Sequence, residues 1–267
     1  MSRRRIINKN FVLGKILGGL GNQLFVIFTT VSHAIDNDLD FFVENVEKTR
    51  KTYFDTPLYK NLKQNRLPGK IFVQPSHRYC EIPKQKNLIL SGYFQSYKFF
   101  DHNKEKILKL LEIDLLRDQI KEKYSNYLSN DVILHFRLGD YKHLGHAHPI
   151  CDISYYKNAL KNFDPSSKVL YFFEEEDGEI VSDKIKEIKE EHPEMIFTPV
   201  DTNIVDYEQV LLMSQFSKFV IANSTFSWWG TYLSQNREKV CYPSTWFCGI
   251  LKDKCVDDLF YDDWIKV

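Results

Sequence analysis

The chain has 267 residues, with 36 Lys+Arg against 36 Asp+Glu and so a formal net charge of zero. That balance argues against a general nucleic-acid binder, whose phosphate contacts need a basic excess. Hydrophobic residues at 43% and aromatics at 15% exclude a disordered or collagen-like chain. A strand is predicted over 11–17, followed by the glycine cluster Gly18-Gly19-Leu20-Gly21. Leu24, Phe25, Phe28, Val31 and Ile35 then recur at helical spacing. Residues 41–90 are less regular, with short apolar pieces at 71–73 and 88–90 reading as strands. One long helix is expected over 104–128, its apolar stripe carried by Ile107, Leu110, Leu111, Leu115 and Ile120. From there strands at 131–136, 168–173, 195–198, 218–222 and 239–242 alternate with helices at 155–163, 180–191, 207–215 and 226–234.

Alternating strands and helices argue for parallel sheets covered on both faces. The expected architecture is α/β, with two βα halves facing each other across a cleft. The division is placed between an N-terminal domain, 1–128, and a C-terminal domain, 129–267. The longest apolar run, near 24–30, falls far short of the roughly 20 residues of a bilayer span. The basic run at 2–5 has no apolar stretch after it and reads as a solvated tail. Five cysteines without a C-x-x-C pair read as reduced thiols, with no disulfide framework and no structural zinc. A cytoplasmic setting is expected, with peripheral membrane contact and oligomeric state left open.

Three segments follow strands and could carry chemistry. At Gly18–Leu24 the glycines allow a sharp turn, and the next helix offers free N–H groups that favour an anion; Asn22 adds an amide. The turn matches a dinucleotide fingerprint poorly, because Leu24 stands at the third glycine. Asp36, Asp38 and Asp40 nevertheless lie near the acid such a site wants, which keeps a nicotinamide oxidoreductase as a rival. In the second segment, alternation puts His135 and Arg137 on one face and Leu134, Phe136 and Leu138 on the core face. Gly139 and Asp140 end that strand. Arg137 suits bidentate contact with phosphate, or forms a structural ion pair with Asp140. In the third segment, Asn223–Gly230, Ser224 or Thr225 can cap a helix or, left free, help cradle an anion. Trp228 and Trp229 read as core. Together the segments suggest a diphosphate-bearing ligand, while no P-loop lysine motif or nucleophile elbow is present. The acidic runs at 174–177 and 257–258 read as solvated charge rather than metal ligands.

Four motifs in order resemble the α-1,2-fucosyltransferases of glycosyltransferase family 11. They are Gly18-Gly19-Leu20-Gly21-Asn22-Gln23-Leu24-Phe25, Gly92-Tyr93-Phe94-Gln95-Ser96, His135-x-Arg137-x-Gly139-Asp140-Tyr141 and Asn223-Ser224-Thr225-Phe226-Ser227-Trp228-Trp229-Gly230. The resemblance implies a GT-B fold and inverting, metal-independent transfer of L-fucose from GDP-fucose to the 2-hydroxyl of a galactose-containing acceptor. It places Arg137 on the donor pyrophosphate, His135 on the nucleoside side, and Asn22 and Gly21 facing the diphosphate and fucose. Ser224, Thr225 and Ser227 would hold phosphate oxygens, Asn223 and Gln209 would also bind the donor, and Tyr93 and Gln95 would line the acceptor side. The family pattern usually has a second arginine where this chain has Leu138, and a guanine-reading aspartate where it has Gln209 beside Glu208. An amide offers one acceptor where a carboxylate takes both guanine donors, so another nucleotide-linked deoxysugar donor is the alternative. A carbohydrate-binding protein with an impaired donor site is a further one. The mechanism implied is direct displacement, with Arg137 stabilising the departing diphosphate and Asp140 as base or as the group orienting Arg137.

Overall fold

The computed structural model describes residues 10–49, 51 and 53–267. The basic run at 2–5 lies outside them. The chain divides into two compact units, Met1–Asp114 with Cys255–Phe260, and Leu115–Lys254 with Tyr261–Val267.

In the first unit, β1 (Phe11–Gly18) runs into α1 (Leu20–Asn37), then β2 (Asp40–Thr49), β3 (Lys70–Val73) and β4 (Leu88–Ser91). All pairings are parallel, in the order β2-β1-β4-β3. Val12, Leu13 and Ile16 of β1 and Phe25, Val26, Ile27 and Phe28 of α1 are fully buried. β2 is absent from the sequence reading because polar residues interrupt its alternation. Its support is the β1 ladder, in register from Phe11 opposite Asp40 to Ile16 opposite Asn45.

The single helix expected over 104–128 is instead two, α2 (Lys104–Leu110) and α3 (Ile113–Lys123), with a short 3-10 turn at Ser125–Tyr127. Glu112 breaks it, adopting a left-handed φ of 55° that a non-glycine residue takes at some cost. Asn61 Nδ2 donates to Leu110 O at 3.1 Å and Lys60 Nζ pairs with Glu112 at 2.5 Å. Contacts from residues some 50 positions away thus impose a break that carries no Gly or Pro signal.

Most of α3 packs with the second unit, so the division falls after Asp114 rather than at 128. The cause is Arg117, buried, whose Nε donates to Ser214 Oγ at 3.0 Å and whose guanidinium also donates to Ser214 O at 3.0 Å. That unit continues with β5 (Val132–His135), α4 (Ile153–Leu160), β6 (Lys168–Phe172), α5 (Gly178–Glu191), β7 (Ile196–Pro199), α6 (Asp206–Met213), β8 (Lys218–Val220), α7 (Thr225–Tyr232), β9 (Lys239–Tyr242) and β10 (Ile265–Lys266). The sheet is again parallel, in the order β10-β9-β8-β5-β6-β7. Val132, Leu134, Phe136 and Leu138 form its core with Tyr156, Leu160, Val169 and Val181. Trp228 and Trp229 are fully buried, as core anchors should be, and Trp228 stacks on Tyr232 at 5.1 Å.

The chain returns to the first unit near its end. There Asp258 accepts from Tyr79 N at 2.9 Å and pairs with Lys98. All five cysteines are free thiols. No helix among the described residues is long and apolar enough to cross a membrane.

Candidate active site

In doubly wound sheets a ligand crevice forms beyond the carboxyl ends of the strands, where strand order reverses. In the second unit that point lies between β5 and β8. From β5 the order proceeds outward through β6 and β7, and β8 begins the run to the other edge. Alternation along β5 and its extension buries Leu134, Phe136 and Leu138 and leaves His135 and Arg137 to the opposite face. Leu138 is 3% exposed and packs in the core, so a leucine suits the position where the family pattern has an arginine.

Arg137 is held by two carboxylates. One nitrogen pairs with Asp140 and the other with Glu174, and its guanidinium lies 4.8 Å from the Tyr141 ring centre. Gly139 makes the arrangement possible. Its φ is +38°, and a Cβ there would collide with the Glu174 carboxylate. Gly139 N donates to Asp177 Oδ2 at 2.8 Å, and Lys142 Nζ donates to Asp177 Oδ1 at 2.7 Å. Tyr141 Oη donates to Asn223 O at 3.0 Å and so joins the two loops across the switch point. Burial pushes the Tyr141 phenol up to about 12, which keeps it a neutral donor.

His135 is buried, its ring 5.6 Å from that of Phe226 in the first turn of α7. Burial, then the Arg137 charge, pulls its pKa from the usual 6.5 down to about 3. It is therefore a neutral imidazole, and its buried Nδ1 has no hydrogen-bond partner.

The start of α7 corrects part of the sequence reading. Ser224 acts as the N-cap, its Oγ accepting from Phe226 N at 3.3 Å. Ser227 is 1% exposed, and its hydroxyl donates back to Ser224 O at 3.3 Å. Asn223 is also 1% exposed; its Nδ2 donates to Pro149 O at 2.8 Å and Trp246 O at 3.2 Å, while Oδ1 accepts from Cys151 Sγ at 3.3 Å. Asn223 and Ser227 are thus committed to holding the turn, and of this group Thr225 is the residue left half-buried in the first turn of α7. In α6, Glu208 is engaged by Lys123 Nζ at 2.8 Å and Tyr124 Oη at 2.5 Å. Gln209 beside it donates from Nε2 to Ile204 O at 2.7 Å.

In the first unit β1 and β4 lie side by side at the centre of the sheet. Gly18, with φ +71°, closes the turn beneath Asn22, whose amide would meet any Cβ at Gly18. Asn22 Oδ1 accepts from Gln95 Nε2 at 2.9 Å, which brings together two residues 73 apart in sequence. Gly21 is buried in the first turn of α1. Tyr93 is half-buried, 6.2 Å from the His77 ring. Asp36, Asp38 and Asp40 lie at the end of α1 and the start of β2, the amino edge of the sheet and opposite the glycine turn. Asp36 is moreover engaged by His102 at 2.9 Å and Asn103 at 2.7 Å. The nicotinamide reading loses its acid for that reason.

The sequence assigns no site role to Glu174, Asp177, Lys142 or Tyr141; of the 174–177 run, Glu174, Glu175 and Glu176 are exposed as expected, whereas Asp177 is 1% exposed. The signal for it was positional, since these acids follow β6, the strand beside β5. Glu174, Glu176 and Asp177 bring one oxygen each within 4.8 Å of one another. Their counter-charges here are the protein's own: Arg137 for Glu174, and Lys142 for Glu176 and Asp177.

Two parallel sheets in an α/β chain, each with polar groups gathered beyond the carboxyl ends of its central strands, fit the GT-B class of glycosyltransferase. The chain belongs to glycosyl transferase family 11, whose model matches residues 70–267. The galactoside 2-alpha-L-fucosyltransferase of Caenorhabditis elegans is 28% identical over 279 residues, covering 93% of this chain and 77% of that one. An alpha-1,2-colitosyltransferase of Escherichia coli is 23% identical over 282 residues, covering 89% and 93% respectively. Among solved structures, the fucosyltransferase NodZ from Bradyrhizobium superposes with a TM-score of 0.51 at 12% identity, covering 87% of this chain and 94% of that one.

Proposed function

We propose that this glycosyltransferase moves L-fucose from GDP-fucose to the 2-hydroxyl of a galactose-containing acceptor. The displacement is direct and inverting, and needs no metal. The observation that supports this best is Arg137 just beyond β5, two residues from His135, whose ring lies 5.6 Å from Phe226 in the first turn of α7. A guanidinium and a helix N-terminus are both suited to a departing diphosphate. As the bond to fucose breaks, negative charge accumulates on the diphosphate, and Arg137 stabilises it more in the transition state than in the ground state. His135 is neutral and packs on the nucleoside side. Asp140 acts chiefly by orienting Arg137, with a base role for the acceptor hydroxyl as the other option. Asn223, Ser224 and Ser227 shape the turn, and Thr225 and the backbone N–H groups of α7 contact phosphate. Asn22 and Gly21, with Tyr93 and Gln95, serve the sugar and acceptor side. The name of the C. elegans relative supports fucose and the 2-linkage.

A second reading keeps the chemistry and changes the donor to another nucleotide-linked deoxysugar. The colitosyltransferase relative supports it, as does Gln209 where a guanine-reading carboxylate is expected. Calorimetric binding of GDP, UDP and dTDP in EDTA, followed by transfer assays with GDP-fucose, decides between them. Selective GDP binding with fucosyl transfer supports the first reading. Selective GDP binding without fucosyl transfer, or a preference for UDP or dTDP, supports the second. Binding of none removes both and favours a carbohydrate-binding protein with an impaired donor site.

A further inference from the structure

The Arg137 cluster carries more negative charge than an anion site should. Four carboxylates, Asp140, Glu174, Glu176 and Asp177, are paired there with two cations, Arg137 and Lys142. A diphosphate brought to Arg137 meets two carboxylates already on its nitrogens. Like charges at such range repel appreciably even near a protein surface, so one carboxylate has to give way.

The structure distinguishes the four. Asp177 is 1% exposed and fixed by Gly139 N and Lys142 Nζ; releasing it would unmake the loop that carries Arg137. Glu176 lies on Lys142, not on Arg137. Asp140 sits three residues along the same loop as Arg137, its side chain 31% exposed. Glu174 comes from a different strand end, and its side chain is 48% exposed. A half-exposed ion pair contributes little, and Glu174 needs only a rotamer change to reach water. The absence of a Cβ at Gly139 leaves the space its carboxylate occupies.

We propose that Glu174 is an exchangeable counter-ion for Arg137. It holds the guanidinium in place when the site is empty and is displaced by the donor's diphosphate, which takes over its position on Arg137. Donor binding is thereby penalised by the loss of one ion pair, and release of the diphosphate product is assisted by Glu174 returning. The inference rests on the reading of Arg137 as the diphosphate ligand. No bond is made or broken; the exchange swaps one oxyanion for another on the same cation.

The test compares the full chain with Glu174→Gln and Asp140→Asn, measuring GDP and inorganic pyrophosphate binding by calorimetry in EDTA, with thermal unfolding as a fold check. Expected is GDP and pyrophosphate binding about fivefold tighter in Glu174→Gln, the scale of removing one nearby charge at an intermediate effective dielectric, with kcat lowered where product release limits turnover. Asp140→Asn should not tighten binding, because it loosens the group that orients Arg137. Unchanged or weaker binding in a folded Glu174→Gln variant overturns the exchange. So does wild-type binding that appears only with added Mg²⁺ and is lost in Glu174→Gln, which would make Glu174 a metal ligand. Absence of any diphosphate binding by the wild type instead removes the underlying reading of the site, a result distinct from a failed exchange.

Discussion

The two units solve the same topological problem with different chemistry. Each has a parallel sheet, and each gathers polar groups beyond the carboxyl ends of its central strands. In the first unit the groups are amides: Asn22 bonded to Gln95, and Gln23 donating to Gly18 O at 3.0 Å. Among the described residues no ion pair joins them. In the second they are charges: Arg137 between Asp140 and Glu174, with Asp177 and Lys142 beneath. Neutral hydrogen-bonding groups match sugar hydroxyls, whereas a guanidinium in a partly desolvated setting matches a diphosphate. The two sheets are alike in being parallel, and it is the side chains at their strand ends that differ.

The largest expected effect breaks the charged crevice. Arg137→Ala should lower transfer by about a thousandfold or more, the scale of removing a principal transition-state charge partner, while circular dichroism shows an intact fold. Substantial transfer by a folded variant would remove Arg137 from the mechanism. The next effect concerns stability against pH. The folded pKa of His135 is about 3 against the usual 6.5, so the unfolded chain takes up a proton that the native one refuses. Its full contribution to stability is present above about pH 6.5 and declines as pH falls toward 3. By pH 5 the loss is about 2 kcal/mol. Denaturant unfolding at pH 7 and pH 5 should show a shallower decline for His135→Gln than for the wild type. An equal decline would mean the imidazole is not buried neutral. The amide crevice should be gentler: Gln95→Ala is expected to raise the acceptor KM about tenfold, worth one neutral hydrogen bond, with GDP affinity unchanged. A loss of GDP affinity instead would move the amide pair to the donor.

Much of the second unit is readable from sequence because its strands are short apolar runs bounded by loops. His135 and Arg137 fall on one face by simple alternation. The first unit is less legible. β2 alternates poorly and exists because β1 offers a ladder, and the break at Glu112 depends on Asn61 and Lys60 from a distant loop. In the site, the sequence points to the motif loops but not to how their hydroxyls and amides are used. The family resemblance puts Ser227 on phosphate and Asn223 on the donor. Their bonds to Pro149, Trp246 and Ser224 appear only once the chain is folded. Glu174 and Asp177 give no such signal in the sequence for the converse reason. An acidic run reads as solvated until the neighbouring strand is known to carry an arginine.

The smallest effect sharpens the comparison at the two helix starts. α1 begins at Gly19, which offers no side-chain cap, so its first N–H groups have none to displace. α7 begins at Ser224, whose Oγ already accepts from Phe226 N. A phosphate at α7 therefore competes with a cap, unless it binds the N–H groups the cap leaves. Ser224→Ala should cost about 1 kcal/mol of stability, the usual value of an N-cap, and Ser224→Gly only a few tenths. That is a fall of a few degrees in Tm for a chain of this size. GDP affinity should stay within about twofold in both variants, because the hydroxyl serves the helix rather than the ligand. The opposite pattern, an unchanged Tm with GDP binding weakened tenfold, would make Ser224 a phosphate ligand. The Ser224 cap on Phe226 N would then be what the donor displaces.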